Sequence, residues 1–80
     1  MDLLYRVVRS EIPSDDGYFI AYGIEVYDKN GEKLEGVYDI STDPFYVASI
    51  CRLCTINAVS PIHLKDIIID RIYSDNMGDG

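Results

Sequence analysis

Residues 18–27 read YFIAYGIEVY, and large apolar side chains occupy every second position of this stretch. Such alternation is typical of a β-strand that packs one face against a core. The set expected to face the core is Tyr18, Ile20, Tyr22, Ile24 and Val26. The set expected on the opposite face is Phe19, Ala21, Gly23, Glu25 and Tyr27. The sequence therefore predicts a strand with one buried face.

A further strand is predicted on each side of this stretch. Residues 3–12 are rich in aliphatic, aromatic and β-branched residues, and the turn-forming residues PSDDG follow at 13–17. On the other side, residues 28–32 contain an Asn-Gly pair, which favours a hairpin turn. The return strand over 33–40 is expected to point Leu34, Gly36, Tyr38 and Ile40 inward and Lys33, Glu35, Val37 and Asp39 outward. Three consecutive strands with short turns predict an antiparallel β-meander.

The pattern changes after the strands to the spacing of helices. Asp43 followed by Pro44 is a typical helix start, and apolar residues then recur at helical spacing as far as Asn57. Ser60-Pro61 repeats the start signal, and the second helix is expected to end near Tyr73.

These elements predict the α+β fold class. A three-stranded antiparallel β-meander is followed by two α-helices packed on one face, in the order β-β-β-α-α. One domain is expected over residues 1–73, because a chain of 80 residues has no room for a second core. Residues 74–80 have two glycines, two aspartates and no apolar periodicity, so a disordered tail is expected there.

The charge of the chain limits its partners. Fourteen acidic residues oppose seven basic ones, which gives a formal net charge of −7. An acidic surface repels phosphate backbones and anionic lipid headgroups, so neither nucleic acid nor membrane is an expected partner. The sequence shows neither a signal-peptide pattern nor an apolar run long enough to span a bilayer. Two cysteines are few for a secreted domain of this size, and a cytoplasmic location is predicted.

Cys51 and Cys54 form the motif in this sequence that is best suited to carry out chemistry. Paired thiols at this spacing serve redox exchange or supply half of a zinc site. His63 is the only histidine, however, and both thiols fall on the apolar side of the first predicted helix. A structural role in the core is therefore favoured, and a metal-binding or thiol-active role stays open as the alternative.

His63, Asp66 and Asp70 share one face of the second predicted helix, where they could hold a metal ion. The solvent-exposed face of any amphipathic helix looks the same. Residues 61–73 could also be the recognition helix of a helix-turn-helix motif. Their acidic and basic residues balance, however, and this disfavours DNA binding. The sequence shows no catalytic constellation and no phosphate-binding loop, so neither an enzymatic activity nor a cofactor is expected.

Seven tyrosines are many for 80 residues, and tyrosine is enriched at protein interfaces. The alternation described above predicts an apolar interaction patch on the outer face of the sheet, formed by Phe19, Tyr27 and Val37. A dimer, a loop or the first strand could equally cover them. The leading hypothesis is a small non-enzymatic interaction or regulatory module that binds a protein partner or a second copy of itself. An acidic inhibitor that mimics nucleic acid is a further alternative.

Three short segments carry a resemblance to a known family. They are Tyr22-Gly23-Ile24, Asp39-Ile40-Ser41-Thr42-Asp43 and Ser60-Pro61-Ile62-His63-Leu64-Lys65-Asp66. Together they resemble the pattern of a family of short, uncharacterised bacterial proteins, mainly clostridial, that form a domain of unknown function. The similarity spans roughly 22–73. It implies a bacterial cytoplasmic origin, but no activity, ligand or catalytic residue.

Overall fold

The computed structural model describes residues 3–77 and has three antiparallel strands followed by two helices, which confirms the predicted α+β class. The strands lie in the order β1-β2-β3, so each pairs with its neighbour in sequence. No helix within the described residues combines the length and hydropathy needed to cross a membrane. The elements are β1 (Leu4–Ser14), β2 (Gly17–Tyr27), β3 (Lys33–Ser41), α1 (Pro44–Ile56), a 3₁₀ turn (Pro61–His63) and α2 (Leu64–Met77).

The core lies between the sheet and the two helices. Ile24 and Val26 of β2 are fully buried, as their alternation predicts. Tyr5 of β1 joins them, and the helices contribute Val47, Ile50, Cys51, Cys54, Leu64 and Ile68. Burying an aliphatic side chain of this size stabilises the fold by about 1.5–3 kcal/mol. In a chain this short, these few side chains supply most of the stability.

Helix α1 begins and ends where the sequence predicts. The Asp43 carboxylate accepts a hydrogen bond from the Phe45 backbone N–H at 2.9 Å, and Pro44 occupies the first helical turn. Asn57 is the C-terminal cap, and both its backbone N–H and its side-chain amide donate to the Leu53 carbonyl. These caps satisfy backbone groups that the helix itself leaves unpaired.

Helix α2 extends further than predicted. It continues through Met77, so residues 74–77 are helical and were wrongly assigned to the tail. The Tyr46 hydroxyl of α1 donates to Asp75 Oδ2 at 2.5 Å, and Arg71 Nε lies 3.5 Å from the same oxygen. These contacts hold the last turns of α2 against α1. Residues 78–80 of the predicted tail lie outside the described residues.

The faces of β3 differ from the prediction because the strand contains a bulge. Val26 pairs with Glu35 and Tyr27 with Lys33, so Leu34 has no opposite residue in β2. One extra residue reverses the alternation of the side chains that follow it, as far as the next irregularity in the strand. Val37 therefore lies opposite Ile24 and packs against the core, and the prediction that it faces outward is wrong.

A second irregularity brings β3 close to Gly23. Ile24 pairs with Val37, but Tyr22 pairs with Ser41, so three residues of β3 lie opposite Gly23 alone. Asp39, in the middle of this irregularity, has a φ of 57°. A Cβ placed on Gly23 would lie 2.8 Å from the backbone Cα of Tyr38 and against the Val37 carbonyl. Only glycine permits this approach.

Strands β1 and β2 extend as a hairpin beyond the end of β3. Their pairing continues to Ser14 opposite Gly17, whereas the pairing of β2 with β3 begins at Tyr22. We call the projecting part, residues 10–21, the arm. It makes the molecule 42 Å long and 19 Å thick, with a radius of gyration of 13.4 Å. A compact chain of this length has a radius of gyration of about 12 Å.

Candidate functional site

The outer sheet face is the side turned away from the helices, which pack on the side of Ile24 and Val26. Residues opposite each other in an antiparallel pair share a face, so the β1–β2 register defines this surface. It comprises Leu4, Arg6, Val8, Ser10 and Ile12 of β1 with Phe19, Ala21, Gly23, Glu25 and Tyr27 of β2. The bulge in β3 adds Tyr38, whose hydroxyl reaches Glu25.

A group of polar side chains around Glu25 occupies one end of this face. The Tyr27 hydroxyl donates to Glu25 Oε1, and the Tyr38 hydroxyl donates to Oε2 at 2.8 Å. Lys33 Nζ lies 3.6 Å from Oε2, and the Arg6 guanidinium lies 5.5 Å from the centre of the Tyr27 ring. We call these five residues the Glu25 cluster. Both carboxylate oxygens accept hydrogen bonds, so the cluster fixes the side chains of Tyr27 and Tyr38 at this end of the face.

The hydrogen bonds of this cluster change the titration of its members. The hydroxyls of Tyr27 and Tyr38 hold the pKa of Glu25 below its usual value, and Lys33 adds to this. The bond to Glu25 in turn raises the pKa of Tyr27. Because the ionised Glu25 is bound more favourably in the folded state, its contribution to stability is present above its unfolded pKa, about 4.3. That contribution is lost as the pH falls through the lowered pKa.

We therefore expect Glu25→Gln to destabilise the protein at neutral pH and to have a diminishing effect as the pH falls below about 4.3, the ordinary pKa of a glutamate. At low pH the protonated glutamate resembles glutamine. The measurement is urea unfolding of both proteins at several pH values. Glu11→Gln is the matched control, since that side chain is 60% exposed and lies 3.9 Å from Arg9. A destabilisation by Glu25→Gln that is independent of pH would contradict this account.

The structure separates the three predicted interaction residues. Tyr27 belongs to the Glu25 cluster, and Val37 packs against the core. Phe19 lies on the arm, opposite Ile12, and is 46% exposed. Eight residues of strand separate Phe19 from Tyr27, which is about 26 Å. The outer face thus has a fixed polar end and an exposed apolar end, and only Phe19 of the three is free to contact another molecule.

The predicted thiol pair lies in the core. Cys51 is 8% exposed and Cys54 is 1% exposed, and both are free cysteines. Burial raises the pKa of both thiols, and the neighbouring Cys51 raises that of Cys54 further. A raised pKa disfavours the reactive thiolate at neutral pH.

The predicted metal ligands are not assembled into a site within the described residues. His63 is exposed and ends the 3₁₀ turn, whereas the two cysteines are buried on the inner face of α1. Asp66 and Asp70 are exposed on α2. Across 3–77, the structure brings together no group of three or more histidine, cysteine, aspartate or glutamate side chains that could hold a metal ion.

Sequence reasoning missed a groove between the two helices. Its volume is about 440 Å³, and it is lined by Ile50, Leu53, Cys54, Asn57, Val59, Ile67, Asp70, Arg71 and Ser74. Leu53 and Ile67 are 38% and 37% exposed and form its apolar walls. The available signal was the excess of apolar residues on both helices, since more are present than a single buried stripe requires.

Comparison with known proteins identifies a family. The model of a Family of unknown function (DUF6514) matches residues 1–74. This confirms the expectation of a family of unknown function, and it extends the similarity beyond 22–73 to include β1. No match is found among curated proteins, and none among solved structures.

Proposed function

The chain belongs to the family of unknown function DUF6514, and we propose that it is a small non-enzymatic interaction module that binds a protein partner. One observation carries this proposal. The arm extends past β3 and exposes Tyr18 and Phe19, which are 62% and 46% accessible. Aromatic side chains on a projecting hairpin add little to a core, and they offer a large contact area at a low cost in side-chain entropy.

The positions of the two cysteines support the metal-binding or thiol-active alternative less well than the arm supports an interaction module. A metal-binding or thiol-active role requires Cys51 and Cys54 to reach a ligand or substrate, and both are buried with raised pKa values. The arm needs no rearrangement to make contact. The acidic charge of the chain favours a partner with a basic surface, which agrees with both an interaction module and an acidic inhibitor.

We place this activity in the bacterial cytoplasm. The two free cysteines support a reducing compartment, because a secreted domain of this size usually depends on disulfides. The family resemblance described above supports a bacterial origin.

The test is Phe19→Ser in the full chain, with Phe45→Ser as the matched control. Phe45 is 83% exposed at the start of α1, so the same change removes an exposed phenylalanine away from the arm. We expect Phe19→Ser to reduce partner retention at least about tenfold, which is typical of losing an aromatic anchor. Quantitative affinity purification from cell extract, together with sedimentation of the purified protein, measures association with partners and with itself.

Circular dichroism and thermal unfolding of both variants show whether the fold is kept. If Phe19→Ser and Phe45→Ser retain the same proteins as the unchanged chain, and self-association is also unaltered, the arm is not the binding surface. The interaction proposal is then wrong.

A further inference from the structure

The arm has an open strand edge. Within 17–21, β2 pairs with β1 on one side only, because its pairing with β3 starts at Tyr22. Backbone N–H and C=O groups of alternate residues therefore face the open side without a strand partner in the described residues. Such an edge is a template for another extended chain. Ala21 is only 4% exposed, so the accessible part is 17–20, which we call the open edge.

The open edge lacks the features by which sheets prevent pairing. Its sequence, GYFI, contains no charge and no proline. The other two strands differ, because β1 carries Arg6, Arg9 and Pro13 and β3 carries Lys33 and Glu35. Charges and proline on an edge strand discourage the addition of a foreign strand. The open edge on the arm is thus the part of the sheet that lacks these protective features.

Acidic residues stand at both ends of the open edge. Asp15 and Asp16 form the exposed connection at the tip of the arm. At the other end, Ser41 pairs with Tyr22, and the Asp43 backbone N–H donates to the Ser41 hydroxyl at 3.1 Å. Asp43 therefore lies beside the point where β3 leaves the sheet. An extended segment along the open edge would have carboxylates near both of its ends.

We propose that the open edge receives an extended, β-branched segment of a partner protein with a basic residue at each end, by addition of a fourth strand beside β2. The inference rests on the proposed interaction function and names the kind of partner. Backbone hydrogen bonds supply the affinity of such additions, and side chains on alternate faces supply the selectivity. Phe19 contacts the added strand on the outer face, and Tyr18 and Ile20 contact it on the other.

Charge favours this partner over a second copy of the chain. A two-fold axis through Phe19 would pair Tyr18 with Ile20 of the other copy. It would also bring the Asp15–Asp16 connection of each copy beside Asp43 of the other. Like charges placed against each other in this way oppose association, whereas a basic segment neutralises both ends.

The probe is a synthetic peptide, Lys-Thr-Val-Thr-Val-Lys, added to the full chain labelled with ¹⁵N. We expect chemical-shift changes and slowed amide hydrogen exchange at residues 17–20. Tyr18→Lys places a charge on the open edge and is expected to weaken binding at least about tenfold. Tyr73→Lys is the matched control, since Tyr73 is 65% exposed on α2, and it should leave binding unchanged. The same peptide with glutamate at both ends should bind weakly or not at all.

Several outcomes would overturn the inference. These are no binding of the lysine peptide at millimolar concentration, equal binding of the glutamate peptide, or binding that Tyr18→Lys does not alter. A dimer abolished by Tyr18→Lys, with no peptide binding, would identify the occupant as a second copy. If Phe19→Ser lowers partner retention while the peptide fails to bind, the interaction function stands and only the strand-addition mechanism falls.

Discussion

Gly23→Ala is expected to lower the free energy of unfolding by about 2 kcal/mol or more, as overpacking of a fixed backbone does. The added Cβ would lie 2.8 Å from the Tyr38 Cα and against the Val37 carbonyl, and both are backbone atoms of β3. Relief requires β3 to move away from β2, which breaks strand pairing. For a domain of this size the melting temperature should fall by roughly 10 °C. Chemical denaturation and thermal unfolding measure the loss.

Gly36→Ala is the matched control for this prediction. Its added Cβ would meet the Tyr38 ring, 2.7 Å from Cζ, and a side chain can rotate away where a backbone cannot. The expected cost is below about 1.5 kcal/mol, chiefly from loss of the bond between Tyr38 and Glu25. If Gly36→Ala proves as destabilising as Gly23→Ala, the close approach of the β3 backbone to Gly23 is not the cause of the destabilisation.

Cys54 is expected to react with iodoacetamide about a thousandfold more slowly in the folded protein than in the unfolded chain. It is 1% exposed, so the reagent reaches it only when the core opens. Opening that costs about 4 kcal/mol reduces the reactive population by that factor. The raised pKa of the thiol lowers the reactive thiolate further. Mass spectrometry of labelled protein over time, with and without guanidinium, measures both rates.

Cys51→Ala isolates the reaction of Cys54 and serves as the control. Cys51 is 8% exposed, and it should also be protected. Rapid alkylation of either thiol in native buffer would contradict the buried position of the pair. That result would make the metal-binding or thiol-active alternative the leading hypothesis.

The order and type of the elements could be predicted from the sequence because each is encoded locally. The alternation in 18–27 identifies β2, and the Asp43-Pro44 pair identifies the start of α1. Ile24 and Val26 are buried in the core, as the alternation predicts. The end of α2 could not be predicted in the same way, since it depends on the contact between Tyr46 and Asp75, 29 residues apart.

The candidate site was only partly predictable, for one physical reason. Strand faces follow from alternation only while each residue has one partner, and the bulge at Leu34 breaks that condition. It turns Val37 inward and Tyr38 outward, where Tyr38 completes the Glu25 cluster. Gly23 in the middle of an apolar strand is the feature of the sequence that indicates an irregularity, because a glycine at such a position often marks a bulge. Phe19 lies on the outer face, since the pairing of β1 with β2 is continuous and preserves the alternation there.

The length of the β1–β2 hairpin also bears on how the chain folds. Its strands are joined by two residues, Asp15 and Asp16, so its contacts form between positions close in sequence. Formation of a β-hairpin takes about 1–10 μs, far less time than pairing of distant segments. We expect the hairpin to nucleate folding, with β3 and the helices condensing on its base. The arm, as the part nearest the connection, would then be the earliest part of this domain to form, before β3 and the helices have left the ribosome.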